Sequence, residues 1–344
     1  PAEKAPSHFH SAAPFVVSTG AAKPSLAGRS FSKAFGEKMA DLAEKDEMIA
    51  VITAAMPEGT GLGNFAKRFP KRFFDVGIAE QHAVTFAAGL AKGGLKPVVA
   101  IYSTFLQRAY DQIVHDVSLQ GLPIVFCLDR AGLTGDDGPT HHGIFDIAYL
   151  RQIPRMTIIA PRDTEELSMM CEFAVGHNGP IAIRYPRGER YPTEEIISHD
   201  PIRLGRSQVL KEGKEVAILA AGYMANTALD AANILSKNNI NPTVINARFL
   251  KPLDEELLEN LVEDHDLIVT IEEGISEGGF GSAVLEFFER ENITKTRVLR
   301  MALPDQFIEH GRRDLLLKKY HLSTEGIVDM VKANTKEALK AWRR

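Results

Sequence analysis

The sequence predicts two doubly wound α/β domains with mainly parallel sheets, and three observations carry that expectation. The chain has 344 residues, which at about 100–200 residues per domain suggests two domains. Short, continuous apolar runs alternate with segments of helical period, the pattern of strands buried on both faces and joined by crossover helices. A polar, proline-marked stretch from Gly188 to Asp200 interrupts that alternation once and divides the chain.

Residues 1–28 are rich in Pro, Ala, Ser and Gly without sustained periodicity, and read as a connector. The first domain, 29–190, opens with an amphipathic helix from Phe31 to Glu44 and a buried strand from Met48 to Thr53. A strand from Arg72 to Val76 leads into a helix from Glu80 to Gly93, followed by a strand from Lys96 to Ile101. A long helix near Thr104 to Leu119 precedes the strand Pro123 to Leu128. After a loop rich in Gly and Asp come strands Met156 to Ala160 and Ile181 to Arg184, separated by the helix Thr164 to Val175. The second domain, 191–344, has strands at Val216 to Ala220, Thr243 to Asn246, Leu267 to Thr270 and Arg297 to Met301. Its helices lie near Ala225 to Lys237, Asp254 to Val262 and Gly281 to Glu291, and the tail beyond Ser323 reads as a surface helix. No repeat of solenoid period is visible. Each unit carries its own strands and helices, so both are expected to fold.

Composition narrows the function. A hydrophobic content of 44% is enough for full cores and argues against disorder. The net charge is only −5 and the Lys and Arg residues are scattered, which argues against a nucleic-acid surface. No run approaches the apolar length of a membrane span, and no signal peptide opens the chain. Cys127 and Cys171 lie far apart without metal-type spacing, and Cys127 falls in an apolar run, so reduced core thiols are expected. A reducing, cytoplasmic compartment is the default. The first residue is Pro1, so a piece of a longer protein is expected.

The most informative stretch is Asp75-Val76-Gly77-Ile78-Ala79-Glu80-Gln81-His82, which places one carboxylate where a short strand passes into a helix. Glu80 there can favour the helix dipole, or it can serve as a functional acid in an apolar pocket. Tyr102 and Phe105 lie three apart just after a strand, as core packing or as a platform for a flat ring. Arg108, Arg130 and Arg187 are phosphate candidates, because guanidinium contacts phosphate in a bidentate way. The loop Gly132 to Gly143 holds Asp136, Asp137, His141 and His142. Adjacent histidines share no helical face and the i,i+4 spacing is missing, so no metal site is expected there. Gly278-Gly279-Phe280-Gly281 is not the dinucleotide fingerprint, since Val284 stands where the third glycine belongs.

Three further segments set a family context: Ala100 to Gln112, Asp129-Arg130-Ala131-Gly132, and Asp137-Gly138-Pro139-Thr140-His141-His142-Gly143. In this order they resemble the pyrimidine-binding and C-terminal parts of the 1-deoxy-D-xylulose-5-phosphate synthase family, thiamine-diphosphate enzymes of the transketolase superfamily. The resemblance implies transketolase-type condensation of pyruvate with D-glyceraldehyde 3-phosphate. The products would be CO2 and 1-deoxy-D-xylulose 5-phosphate, a precursor of isoprenoids, thiamine and pyridoxal. It makes Glu80 the partner of the cofactor's N1′, Phe105 the ring that packs on the aminopyrimidine, and Tyr102 a neighbour of the reacting carbon. Arg108, Arg187, Arg130 and Asp137 match substrate-contacting positions. His141 matches a group that contacts substrate oxygens and transfers protons, and His10 a histidine entering the site from the connector. A homodimer is implied, with no nucleic-acid or membrane partner.

One departure stands out. Such enzymes hold the diphosphate through Mg²⁺ at a Gly-Asp-Gly motif followed by a downstream Asn pair. Here Gly135-Asp136-Asp137-Gly138 is one residue off, and Asn238-Asn239 comes far too late. The Mg²⁺ ligands are therefore expected in an N-terminal domain outside this sequence, and the chain alone is expected to be inactive. The alternatives are the beta subunit of a two-chain 2-oxoacid dehydrogenase and a non-catalytic α/β interaction module.

Overall fold

The structure, a computed structural model, describes Glu3 and residues 15–20, 30–188 and 199–335. Two sheets form, both mostly parallel and both covered by helices. The first has seven strands in the order β10-β5-β6-β4-β3-β1-β2. Its central strands are β1 (Ile49–Thr53), β3 (Lys96–Tyr102), β4 (Val125–Asp129) and β6 (Ile181–Arg184), with β2 (Phe73–Asp75) at one edge and β5 (Thr157–Ile159) towards the other. Every residue of β1, β4, β5 and β6 is buried, as their unbroken apolar text requires of strands covered on both faces.

The helices divide between the two faces. On one side pack α1 (Phe31–Lys45), α2 (Gly63–Arg68) through Phe65, and α7 (Thr164–Val175). Ser30 caps α1 by accepting the Lys33 N–H, and Asp163 caps α7 through Glu166 N–H. On the other side pack α3 (Glu80–Lys92), the helical run after β3, and α6 (Asp146–Arg151). The run after β3 is not the single regular helix that the sequence predicts. It breaks into α4 (Ser103–Leu106), a 3₁₀ turn Gln107–Ala109, α5 (Tyr110–Gln112) and a π-helical turn Ile113–Ser118.

The second sheet has five strands in the order β12-β11-β8-β9-β7. These are β7 (Gln208–Lys211), β8 (Glu215–Ala220), β9 (Thr243–Asn246), β11 (His265–Ile275) and β12 (Arg297–Leu303). Around them lie α8 (Met224–Ser236), α9 (Glu255–Asp264), α10 (Phe280–Arg290), α11 (Arg313–Lys319) and α12 (Thr324–Asn334). The tail helix α12 is not a surface appendage, because Ile327, Val328 and Val331 are buried in the core beside α8.

One strand crosses between the halves. β10 (Phe249–Lys251) follows β9 but pairs antiparallel with β5, so the second half completes the first sheet. A buried ionic network fixes the crossing. Arg248 is 1% exposed and its Nε donates to Glu166 Oε1 on α7 at 2.6 Å. Its Nη2 donates to Gln208 Oε1 at 2.9 Å and to the Asp200 carbonyl at 3.1 Å. Glu166 Oε2 also accepts from Arg162 N–H at 2.7 Å and from Asn246 Nδ2 at 2.9 Å. Every charge is paired and nearly every lone pair used, which a buried ion pair needs to be tolerated.

Removing one partner strands the other. Arg248→Ala is expected to lower unfolding free energy by about 3–5 kcal/mol, read by urea denaturation. A loss below about 1 kcal/mol would mean that the crossing strand is held by packing alone.

Candidate active site

The carboxyl ends of the parallel strands of sheet one converge on a cavity of about 610 Å³. β1 and β3 are neighbours, yet the chain leaves them for opposite faces: α2 follows β1 on one side and the Leu106 run follows β3 on the other. A crevice opens where the connections diverge, the usual ligand position in an open α/β sheet. The loops after β1, β2 and β3 line it. Asp75 pins two of them together, its Oδ1 accepting from Ala55 N–H at 2.7 Å and from Gly77 N–H at 3.0 Å.

Glu80 is the first residue of α3 and is 2% exposed. Its Oε2 is buried and accepts no hydrogen bond. The nearest cation is Arg108, whose Nη1 lies 3.7 Å away, too long for a hydrogen bond. An unsatisfied buried acceptor costs roughly 1–3 kcal/mol, so a carboxylate oxygen left bare beside a cavity suits a ligand donor.

Tyr102 and Phe105 line the same cavity. Their rings stack with centroids 5.8 Å apart and planes 16° from parallel. His141 meets Phe105 edge-on at 5.4 Å. Its Nδ1 lies 2.9 Å from Thr140 Oγ1. Burial pushes the Tyr102 hydroxyl above its usual pKa, partly offset by Arg130 and Arg187.

Glu80, Tyr102, Phe105, Arg108 and His141 thus line one cavity. Arg130 lies behind it. Its guanidinium covers the Tyr102 ring at 3.9 Å and donates to the Gly59 carbonyl at 2.6 Å and to Asp129 Oδ1 at 2.8 Å. Arg187 and Asp137 form an ion pair with each other, both half exposed, and neither lines the cavity. His10 lies outside the described residues. His142 points away from the cavity into the second half and is 2% exposed.

The sequence reading misses the Met56-Pro57-Glu58-Gly59 wall of the cavity. Its signal was available: a Pro- and Gly-bearing turn directly after a buried strand. Among the described residues, no group of three or more His, Cys, Asp or Glu side chains could hold a metal ion. A buried carboxylate oxygen without a hydrogen-bond donor and a stacked pair of rings on one cavity suit a flat heterocycle that carries a donor.

Comparison with known proteins gives this arrangement a context. Residues 27–192 match the family model of the transketolase pyrimidine-binding domain, and residues 205–327 match that of the transketolase C-terminal domain. A curated relative from Geobacter sulfurreducens, 1-deoxy-D-xylulose-5-phosphate synthase 1, is 53% identical over 97% of this chain and 52% of its own length. The 1-deoxy-D-xylulose-5-phosphate synthase of Aquifex aeolicus is 51% identical over 100% of this chain and 54% of its own. The chain thus spans about half the length of these relatives. A solved split-gene transketolase, described as an inactive beta4 tetramer, superposes with a TM-score of 0.78 at 33% identity, covering 88% of this chain and 97% of that one.

Gly59 tests how the wall shapes the platform. A Cβ there would lie 1.9 Å from the Tyr102 hydroxyl and 2.9 Å from its ring carbon. Gly59→Ala is expected to lower stability by about 1–3 kcal/mol, and adding Tyr102→Phe should recover about half of that. Thermal melts of the two singles and the double decide it. Strictly additive losses would mean that this contact does not set the ring's place.

Proposed function

Because this chain belongs to the transketolase family, with its pyrimidine-binding and C-terminal domains, we propose that it holds the aminopyrimidine end of thiamine diphosphate. The whole protein then condenses pyruvate with D-glyceraldehyde 3-phosphate, giving CO2 and 1-deoxy-D-xylulose 5-phosphate. The relatives' names and about half identity over nearly the whole chain support that reaction over the dehydrogenase beta subunit. The observation that carries the cofactor is the buried Oε2 of Glu80, without a hydrogen-bond donor, on a cavity that the stacked Tyr102 and Phe105 also line.

Thiamine diphosphate, when bound, supplies the carbon nucleophile that a two-carbon transfer needs. The chain supplies position and proton control. Glu80, buried and without a hydrogen-bond donor on Oε2, would hold the pyrimidine ring nitrogen. Phe105 would cover the ring face and exclude solvent, and Tyr102 would close the side nearest the reacting carbon. His141 uses Nδ1 on Thr140, which leaves Nε2 to exchange protons with substrate oxygens. Arg108 and Arg187 take the acceptor's phosphate and Asp137 its hydroxyls. Arg130 holds Tyr102 and Gly59 in place and adds positive charge beside the substrate. His10 would reach the site from the connector.

The Gly-Asp-Gly motif that would hold the diphosphate through Mg²⁺ does not occur in this sequence. We assign the diphosphate and Mg²⁺ to the half of the relatives' length that this chain does not match. The chain by itself is then inactive, and a homodimer completed by that other half is the working assembly. Product flows to isoprenoid, thiamine and pyridoxal synthesis in the cytoplasm.

Two experiments test this reading. Titration calorimetry of the 344-residue chain with thiamine diphosphate and Mg²⁺ should give binding weaker than about 0.1 mM, with tight binding and pyruvate decarboxylation restored together when the other half is supplied. In that complex Glu80→Gln should cut turnover by at least about a hundredfold with unchanged circular dichroism. Micromolar binding to the chain alone, or a fully active Glu80→Gln, would overturn it. Separately, Arg108→Ala or Arg187→Ala should raise KM for D-glyceraldehyde 3-phosphate about ten- to a hundredfold with little change for pyruvate. Equal effects on both substrates would assign these arginines a structural role.

A further inference from the structure

The loop from Gly132 to Gly143 carries Asp137 and His141, yet much of its shape is set by the second half of the chain. Reciprocal backbone bonds between Gly132 and Gly143, at 2.7 and 2.8 Å, close its base. Beyond that base its contacts turn to β11 and to the segment 309–313. The Leu133 N–H donates to Glu273 Oε2 at 3.0 Å, and the Gly311 N–H donates to the Gly135 carbonyl at 3.3 Å. The other Glu273 oxygen pairs with Arg313, and Glu273 itself is 4% exposed.

Three glycines of the loop have positive φ, and each backs onto that same surface. A Cβ at Gly132 would lie 2.5 Å from Glu273 Oε2. At Gly135 it would meet the Gly311 carbonyl at 3.2 Å, and at Gly138 the His310 Cβ at 3.1 Å. Contacts under about 3.4 Å require a neighbour to move, so a side chain at any of the three would strain the backbone and press on this surface. His142 is the clip. Its Nδ1 accepts the Thr134 N–H at 3.0 Å while its Nε2–H donates to the Glu309 carbonyl at 3.1 Å. Both ring nitrogens are used in one neutral tautomer, assigned from the hydrogen-bond pattern.

We propose that Glu273 and the segment 309–313 are positioning elements of the acceptor site: they hold residues 132–143 in the path that presents Asp137 and His141. They touch no substrate and act through the loop. The proposal rests on the acceptor role assigned above to Asp137 and His141, and it gives the C-terminal domain a part in substrate recognition.

The test uses Glu273→Gln and Arg313→Ala, the second removing the cation that pairs with Glu273 and covers the Tyr223 ring. The Gln amide presents a donor to one of its two partners and cannot serve both. Amide hydrogen exchange in the 344-residue chain is read first. Exchange at Leu133 and Thr134 should rise at least about tenfold, with the strands of both sheets unchanged. With the other half supplied, KM for D-glyceraldehyde 3-phosphate should rise about tenfold while KM for pyruvate stays within about twofold. Unchanged exchange in the loop, or KM raised equally for both substrates, overturns the proposal. If Glu273→Gln does not fold, Arg313→Ala decides alone. If the parent complex lacks the synthase activity, the assigned reaction fails, and the exchange data still decide whether this surface holds the loop.

Discussion

The buried pair between Glu166 and Arg248 is the constraint on which the architecture turns. It ties α7 of the first sheet to the residue just before β10, and so fixes where the crossing strand starts. Desolvating two charges leaves little net stabilisation even in good geometry. What the pair gives is register: Asn246, Gln208 and the Arg162 amide all converge on it, and a displaced β10 would leave them unpaired. With that junction set, apolar residues of both sheets form one continuous core, in which Leu219, Ile268 and Phe280 join Ile101 and Phe126. The second half is thereby carried to where Glu273 and residues 309–313 meet the acceptor loop.

Against this background Glu80 differs from its peers. Other buried carboxylates have found donors: Asp129 takes Ser32 and Arg130, Asp146 takes Arg184, and Glu273 takes Leu133 and Arg313. Glu272 accepts the N–H groups of Phe280 and Gly281 at the start of α10, each at 2.8 Å. Burial still pushes its pKa up to about 7. Only Glu80, among the described residues, leaves a buried carboxylate oxygen without a hydrogen-bond donor, its Oε2 facing no cation nearer than Arg108 at 3.7 Å. In a fold that satisfies its internal acids so consistently, an acceptor without a donor is the exception that calls for an explanation.

Much of the architecture was legible because parallel strands buried on both faces write themselves as unbroken apolar runs. β6 and β9 and helix α7 fall on the predicted bounds. What escaped has physical reasons. β10 is three residues of no distinct pattern, and its partner is 90 positions earlier, so no local signal announces it. The helix Asp146–Arg151 hides in six residues after a glycine-rich loop. The tail helix looks superficial because its apolar face is narrow, and only the fold supplies the groove that buries it. At the site, Glu80, Tyr102, Phe105, Arg108 and His141 could be named from short motifs, and they do meet in one cavity. The mutual pairing of Arg187 with Asp137, and the grip of Arg130 on Tyr102 and Gly59, depend on loops whose paths no motif encodes.

The crossing strand also bears on how such a protein can be cut. The two family matches, 27–192 and 205–327, invite a division between them. A piece ending at β6 would lack β10 and present β5, whose three residues are all buried in the intact chain, as a bare edge. An apolar edge without its neighbour is a template for pairing with further copies. The recognisable domains are therefore not the separable parts: the smallest piece that keeps sheet one closed extends past Lys251.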